Sequence, residues 1–198
     1  MANRAGPYAR RPARHRLARC LAIVLPLAAI APGGTANTSA PSEGEVKAAL
    51  VHKLTQFVTW PARPAGAPLR VAVVGRDEDA AELVRLFDQA DGAAQVRRVE
   101  SMPDPAVLQD IDVVYVARDS PERFCAVMAA VDGRPVLVAT DAEKVLPQGA
   151  VVGLRLERRR VRLLIDNRRA QKIGLRLDAR VLRLARLVEG TPICDAAD

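Results

Sequence analysis

Few side chains in this sequence can do chemistry, and that scarcity is the first constraint. Beyond the first 36 residues there is one histidine, His52, and there are two cysteines, Cys125 and Cys194. A Ser–His–Asp or Cys–His relay would have to use His52 as its base. His52 falls on what reads as the polar side of a helix, with no nucleophile motif beside it, so a surface histidine is the simpler reading. One histidine and two distant cysteines give no metal-ligand spacing, and no metal is expected. In an oxidising compartment the two thiols are a candidate disulfide, Cys125 to Cys194. The alternative is a small buried hydrophobe at Cys125 and a free tail thiol at Cys194.

The turn Gly75-Arg76-Asp77-Glu78-Asp79 follows a valine-rich run. A dinucleotide site needs several glycines there, so that the backbone can approach pyrophosphate. One glycine followed by three acids repels phosphate, and no cofactor is expected. Asp77, Asp79, Asp119 and Lys144 resemble the layout of a phosphoacceptor receiver domain. Solvated charges at strand ends are the plainer reading, and an export leader, which removes the chain from any cytoplasmic kinase, favours it. Arg158-Arg159-Arg160 could grip an anion, but a charged hairpin tip accounts for it. Phe57 and Trp60 are two of six aromatics, and Trp60 stands where a helix breaks at Pro61. Residues so placed complete a core edge or anchor an interface, where Trp is enriched. They are the candidate partner contacts.

These residues are positioned by an alternating pattern. Ser42 with Glu45 is a capping box, and Val46, Leu50, Leu54 and Phe57 follow as one apolar helical face, with Lys47, His52 and Lys53 turned away from it. Leu69 to Gly75 is a short apolar run that reads as a doubly buried strand. A helix over 79–89 follows, carrying Ala80, Leu83, Val84 and Phe87. Gln95–Glu100 reads as a more polar strand near an edge, Pro103–Gln109 as a short helix, and Ile111–Ala117 as a buried strand. Pro121–Val131 is its helix and Arg134–Thr140 a fourth strand. Val151–Glu157 and Val161–Asp166 then form a hairpin signal. Asp166-Asn167 caps a short helix ended by Gly174, and a last helix is predicted over Asp178–Glu189, with Val181, Leu184, Ala185 and Val188 on its apolar face. The pattern predicts an α/β, Rossmann-like three-layer sandwich, its sheet mostly parallel, with a C-terminal β-hairpin and helix.

Charge and leader set the compartment. The net charge is +7, but residues 1–36 hold six arginines and no acids, and the rest of the chain is nearly balanced. Nucleic-acid binding thereby loses its main support. The arginines precede an apolar run from Leu21 to Ala31, too short to span a bilayer at roughly twenty residues, and then small residues with a plausible cleavage site at Gly34-Thr35-Ala36. The expectation is a cleaved signal peptide over 1–36, a single domain over 37–198 and a periplasmic protein; an uncleaved anchor is the alternative.

Lys47-Ala48-Ala49-Leu50, then Phe57-Val58-Thr59-Trp60-Pro61, then the Leu69–Gly75 strand, resemble the YfiR family of small periplasmic proteins. The closing Val161–Asn167 stretch, Gly174-Leu175 and the leucine-rich 180–187 segment agree. The resemblance implies a Rossmann-like sandwich without nucleotide chemistry. It also implies a repressor that binds the periplasmic part of a membrane diguanylate cyclase, with release linked in part to disulfides. The cysteine that family members often carry at the start of the third strand has no counterpart here, where Asp110-Ile111-Asp112 stands.

The expected function is therefore a non-enzymatic periplasmic regulator that represses an inner-membrane signalling protein, a diguanylate cyclase or another sensor, and lowers cyclic di-GMP. A periplasmic small-molecule-binding protein is the alternative, and an enzyme with an unrecognised site the third reading. The sequence leaves the oligomeric state open, a homodimer included.

Overall fold

The computed structural model describes residues 40–61, 63–89, 92–142, 149–190 and 194. The leader over 1–36 and Lys144 lie outside the described residues.

Helix α1 (Glu43–Thr55) starts at the capping box: Ser42 Oγ accepts from Glu45 N at 3.1 Å, and Glu45 Oε2 accepts from Ser42 N at 2.7 Å. A two-residue strand, β1 (Val58–Thr59), leads through the Trp60 corner to β2 (Leu69–Val74), whose last four residues are fully buried. Asp77 caps α2 (Glu78–Asp88), its Oδ1 accepting from Ala80 N at 2.8 Å. Strand β3 (Ala94–Val99) follows. Pro103–Gln109 contains a single 3-10 turn, Pro105–Leu108, before β4 (Val113–Val116). Helix α3 (Pro121–Ala130) leads to β5 (Leu137–Thr140). Strands β6 (Val152–Glu157) and β7 (Arg160–Ile165) form the predicted hairpin. The chain closes with α4 (Asn167–Lys172), β8 (Arg176–Leu177), α5 (Ala179–Leu184) and β9 (Arg186–Leu187).

The main sheet runs β3-β2-β4-β5-β6-β7-β9, parallel except for the β6–β7 pair. Strand β3 is an edge, as its polarity predicts. Strands β1 and β8 form a separate antiparallel pair beside it. Side chains alternate across the sheet. Val71, Val73, Tyr115, Leu137 and Ile165 join the layer containing α1 and α2; Ala72, Val74, Val114, Val116 and Val138 join the layer containing α3. The expected three-layer sandwich is the observed one.

Three expectations are corrected. The buried face of α1 is Gly44, Lys47, Ala48, Val51 and Leu54, turned from the Val46–Leu50 face. Small residues explain this: α1 meets α2 closely enough that a Cβ on Gly44 would lie 2.6 Å from Asp79 Oδ1. His52 is half-buried rather than on the surface, its ring edge-on to Phe87 at 5.2 Å. The last helix ends at Leu184, not Glu189. Arg186 and Leu187 instead pair in parallel with Leu164 and Ile165, and Val188 N donates to Ile165 O at 3.0 Å. Sheet hydrogen bonds to an otherwise open β7 edge outweigh helical propensity there. Leu184, placed on the apolar face by its spacing, is 84% exposed.

Candidate functional site

In an open α/β sheet, ligands bind beyond the carboxyl ends of the strands, where the strand order reverses. Here that point lies between β2 and β4, and the loops after them carry Gly75–Asp79 and Arg118-Asp119. Lys47 reaches it from α1 and is 2% exposed. Its ammonium lies 2.6 Å from Glu43 Oε1, 2.8 Å from Asp79 Oδ2 and 2.5 Å from Asp141 Oδ2. Arg118 binds the same three acids from the solvent side, at 2.8, 2.6 and 3.3 Å. Helical spacing alone turns Lys47 away from the predicted apolar face. It is buried because three carboxylates from α1, α2 and the end of β5 converge on it, which makes burial of the charge tolerable.

The ionisation states follow from that geometry. Burial pushes the Lys47 ammonium down, but hydrogen bonds to Asp141, Asp79 and Glu43 more than reverse this and raise it. Burial pushes Asp79 up, and Lys47 and Arg118 hold it below its ordinary value. The hydrogen bond from Lys47 likewise lowers Glu43. Asp77 has no such cation: burial raises its carboxyl, and the charges of Asp119, Asp141 and Asp79 add to the rise. Tyr115 is fully buried beneath the cluster, and burial with the nearby Asp141 charge raises its hydroxyl well above the ordinary tyrosine value.

The residues that suggested a receiver layout thus have other work. Asp77 caps α2, Asp79 binds Lys47 and Arg118, and Asp119 Oδ2 accepts from Arg76 N at 3.0 Å. Gly75 is required by packing: its φ is +152°, and a Cβ there would lie 2.5 Å from Ala117 Cβ. A shallow cavity of about 470 Å³ adjoins the cluster, lined by Glu43, Lys47, Arg118, Asp141, Leu154 and Leu156 among others.

Phe57 and Trp60 are half-buried and pack against the core. Trp60 Nε1 donates to Asp112 O at 3.3 Å, and the Arg180 guanidinium lies 5.0 Å over the Phe57 ring. Asp112, in the stretch where the family's cysteine has no counterpart, binds Arg70: its Oδ2 accepts from Arg70 N at 2.9 Å and its Oδ1 from Arg70 Nη2 at 3.0 Å. The fold also brings Cys125 and Cys194 together. Cys125 is on the exposed side of α3, Cys194 packs against the core of that layer, and their Cα atoms are 5.2 Å apart. The Phe57–Trp60 corner, the cysteine pair and the ion cluster belong to three separate places.

The fold and this crevice define a class: an open α/β domain whose switch point is filled by its own lysine and has no glycine-rich phosphate cradle. The chain belongs to the YfiR/HmsC-like family, whose model matches residues 44–186. No curated protein matches it. Among solved structures it is similar to a conserved domain protein from Vibrio cholerae O1 biovar El Tor, with a TM-score of 0.57 and 14% identity, over 76% of this chain and 62% of that one. It is also similar to the ABC domain from Streptococcus pneumoniae in complex with L-Trp, with a TM-score of 0.53 and 14% identity, over 73% of this chain and 60% of that one. The chain thus spans about three fifths of each, and the likeness is one of fold. Among the described residues no helix is long and apolar enough to cross a membrane.

Proposed function

We propose that this chain is an exported, non-catalytic regulator that binds the periplasmic part of an inner-membrane diguanylate cyclase and holds its output down. Membership of the YfiR/HmsC-like family carries the reading. The Lys47-filled crevice supports it, because an internal ion cluster occupies the place where an open α/β enzyme holds its cofactor. The leader, residues 1–36, delivers the domain, residues 37–198, to the periplasm. Phe57 and Trp60 contact the partner, and a Cys125–Cys194 disulfide ties the tail to α3. Repression works by differential binding: the regulator prefers the cyclase's inactive conformation, and a second input releases it. The processed protein, titrated against the isolated periplasmic domains of the cyclases of the same cell, should form a complex with one of them. Absence of a complex with every one would sink the reading.

The cavity beside Lys47 favours a second reading, a periplasmic binding protein for a small charged molecule. A metabolite that raises the thermal stability of the wild type but not of an Arg118→Ala variant would support it over the first.

A further inference from the structure

The β6–β7 hairpin extends past the sheet it joins. Val152 and Gly153 pair with the last residues of β5, and the remaining four residues of β6 run about 13 Å beyond that strand. One face of this arm is apolar, with Leu154 in the α1–α2 core and Val161 and Leu163 packed against it. The other face carries Arg155, Glu157, Arg160 and Arg162, and the tip is Arg158-Arg159. All five arginines are exposed or half-exposed. Glu157 is the one acid on the arm, shared between Arg155 at 3.8 Å and Arg162 at 3.9 Å.

Folding does not account for this pattern. Arg158 and Arg159 both have positive φ, 50° and 63°, the geometry of a two-residue turn that prefers Asn-Gly. Arginine at such positions is strained. Arg155 and Arg162 are also directly opposed across the ladder, where like charges destabilise a sheet. Near-neutrality of the chain after the leader conceals a segregation: residues 152–190 hold twelve Lys and Arg against four Asp and Glu.

We propose that this hairpin docks the protein on an anionic phospholipid surface, with the five arginines meeting headgroup phosphates. Guanidinium groups bind phosphate bidentately. A convex tip needs no shaped cleft to receive it, and a headgroup layer supplies phosphate at any approach. The proposal stands apart from the cyclase reading and needs only that the domain face a bilayer.

The test sediments the processed protein with vesicles of phosphatidylglycerol and phosphatidylcholine, and with phosphatidylcholine alone. Binding is expected to the anionic vesicles at low salt, and to be lost at high salt or on the neutral vesicles. The variant Arg158→Asn/Arg159→Gly carries the residues this turn prefers, so it should fold at least as well. It should lower the vesicle partition coefficient about 25-fold, roughly fivefold for each arginine. Arg155→Gln/Arg162→Gln should lower it comparably. Failure to bind anionic vesicles at low salt, or unchanged binding by both variants, would overturn the proposal. Binding to polyglutamate but not to the vesicles would assign the arm to an acidic protein instead, and overturn it too.

Discussion

Lys47 Nζ and Asp141 Oδ2 lie 2.5 Å apart, with side chains 3% and 0% exposed, although 94 residues separate them in the chain. This ion pair joins α1 to the end of β5 across the place where a related fold would hold a ligand. Losing Lys47 removes the nearer of the two cations on buried Asp141 and leaves Arg118 at 3.3 Å. Lys47→Met should therefore cost about 3–5 kcal/mol in urea unfolding. Lys47→Met/Asp141→Asn should recover part of that loss. A cost below about 1 kcal/mol for the single variant would mean the pair is not desolvated as described.

The same cluster sets the pH range of stability. Glu43 and Asp79 have lowered folded values, so their contribution is present above the ordinary carboxylate values of 4.5 and 3.8 and fades as pH falls through the lower folded ones. Lys47 is raised, so its contribution is full below the ordinary 10.5 and is lost as pH rises through the higher folded value. Tyr115, also raised, acts in the same direction from its ordinary value of 10.0. Asp77 opposes the other carboxyls: it favours the fold at low pH and loses that contribution as pH rises through its raised value. Unfolding free energy measured against pH should show a plateau bounded on both sides. Asp77→Asn should raise it near neutrality, because the amide keeps an acceptor for Ala80 N without the buried charge.

Gly75→Ala tests the turn after β2. Both the positive φ and the 2.5 Å approach to Ala117 Cβ oppose a side chain. The expected loss is about 2–4 kcal/mol, with no change in any nucleotide affinity. A near-neutral substitution would show that the backbone there can rearrange.

The proposed Cys125–Cys194 bond closes a loop with a sequence separation of 69, for which the chain-entropy estimate is about 4 kcal/mol. Reduction, Cys125→Ser and Cys194→Ser should each lower the melting temperature by the same amount, and reduction should add nothing to either variant. Unequal effects of the two serine variants would argue against the bond.

Much of the fold was legible from local sequence pattern. Val71–Val74, Val113–Val116 and Leu137–Ala139 are short apolar runs, and such runs have few alternatives to a buried strand. The hairpin and its capped helix were also readable, because turn and cap chemistry are local. Less legible was whatever depends on distant partners. Lys47 reads as polar in any helical projection, and nothing in its neighbourhood signals that Asp79 and Asp141 converge on it. The 178–189 segment has helical periodicity throughout, yet Arg186-Leu187 takes the open edge of β7, a choice settled by an element twenty residues earlier. The arginine hairpin was visible as a charge run. Its strain was not, since φ at Arg158 and Arg159 depends on the two-residue turn that the ladder register imposes.

Trp60→Phe separates the structural from the interface role of the corner. Losing the hydrogen bond from Nε1 to Asp112 O should cost about 1 kcal/mol. If Trp60 also contacts the partner, affinity for the cyclase domain should fall more than this stability loss explains, and Phe57→Ala should lower it as well. Unchanged affinity in both variants would place the interface elsewhere.

The most direct test of repression is cellular cyclic di-GMP in a strain lacking this protein, set against its parent and against the strain complemented in trans. Repression of a cyclase predicts a clear rise that complementation reverses. An unchanged level, under conditions where the cyclases are expressed, would contradict repression of a diguanylate cyclase and leave the fold without that function.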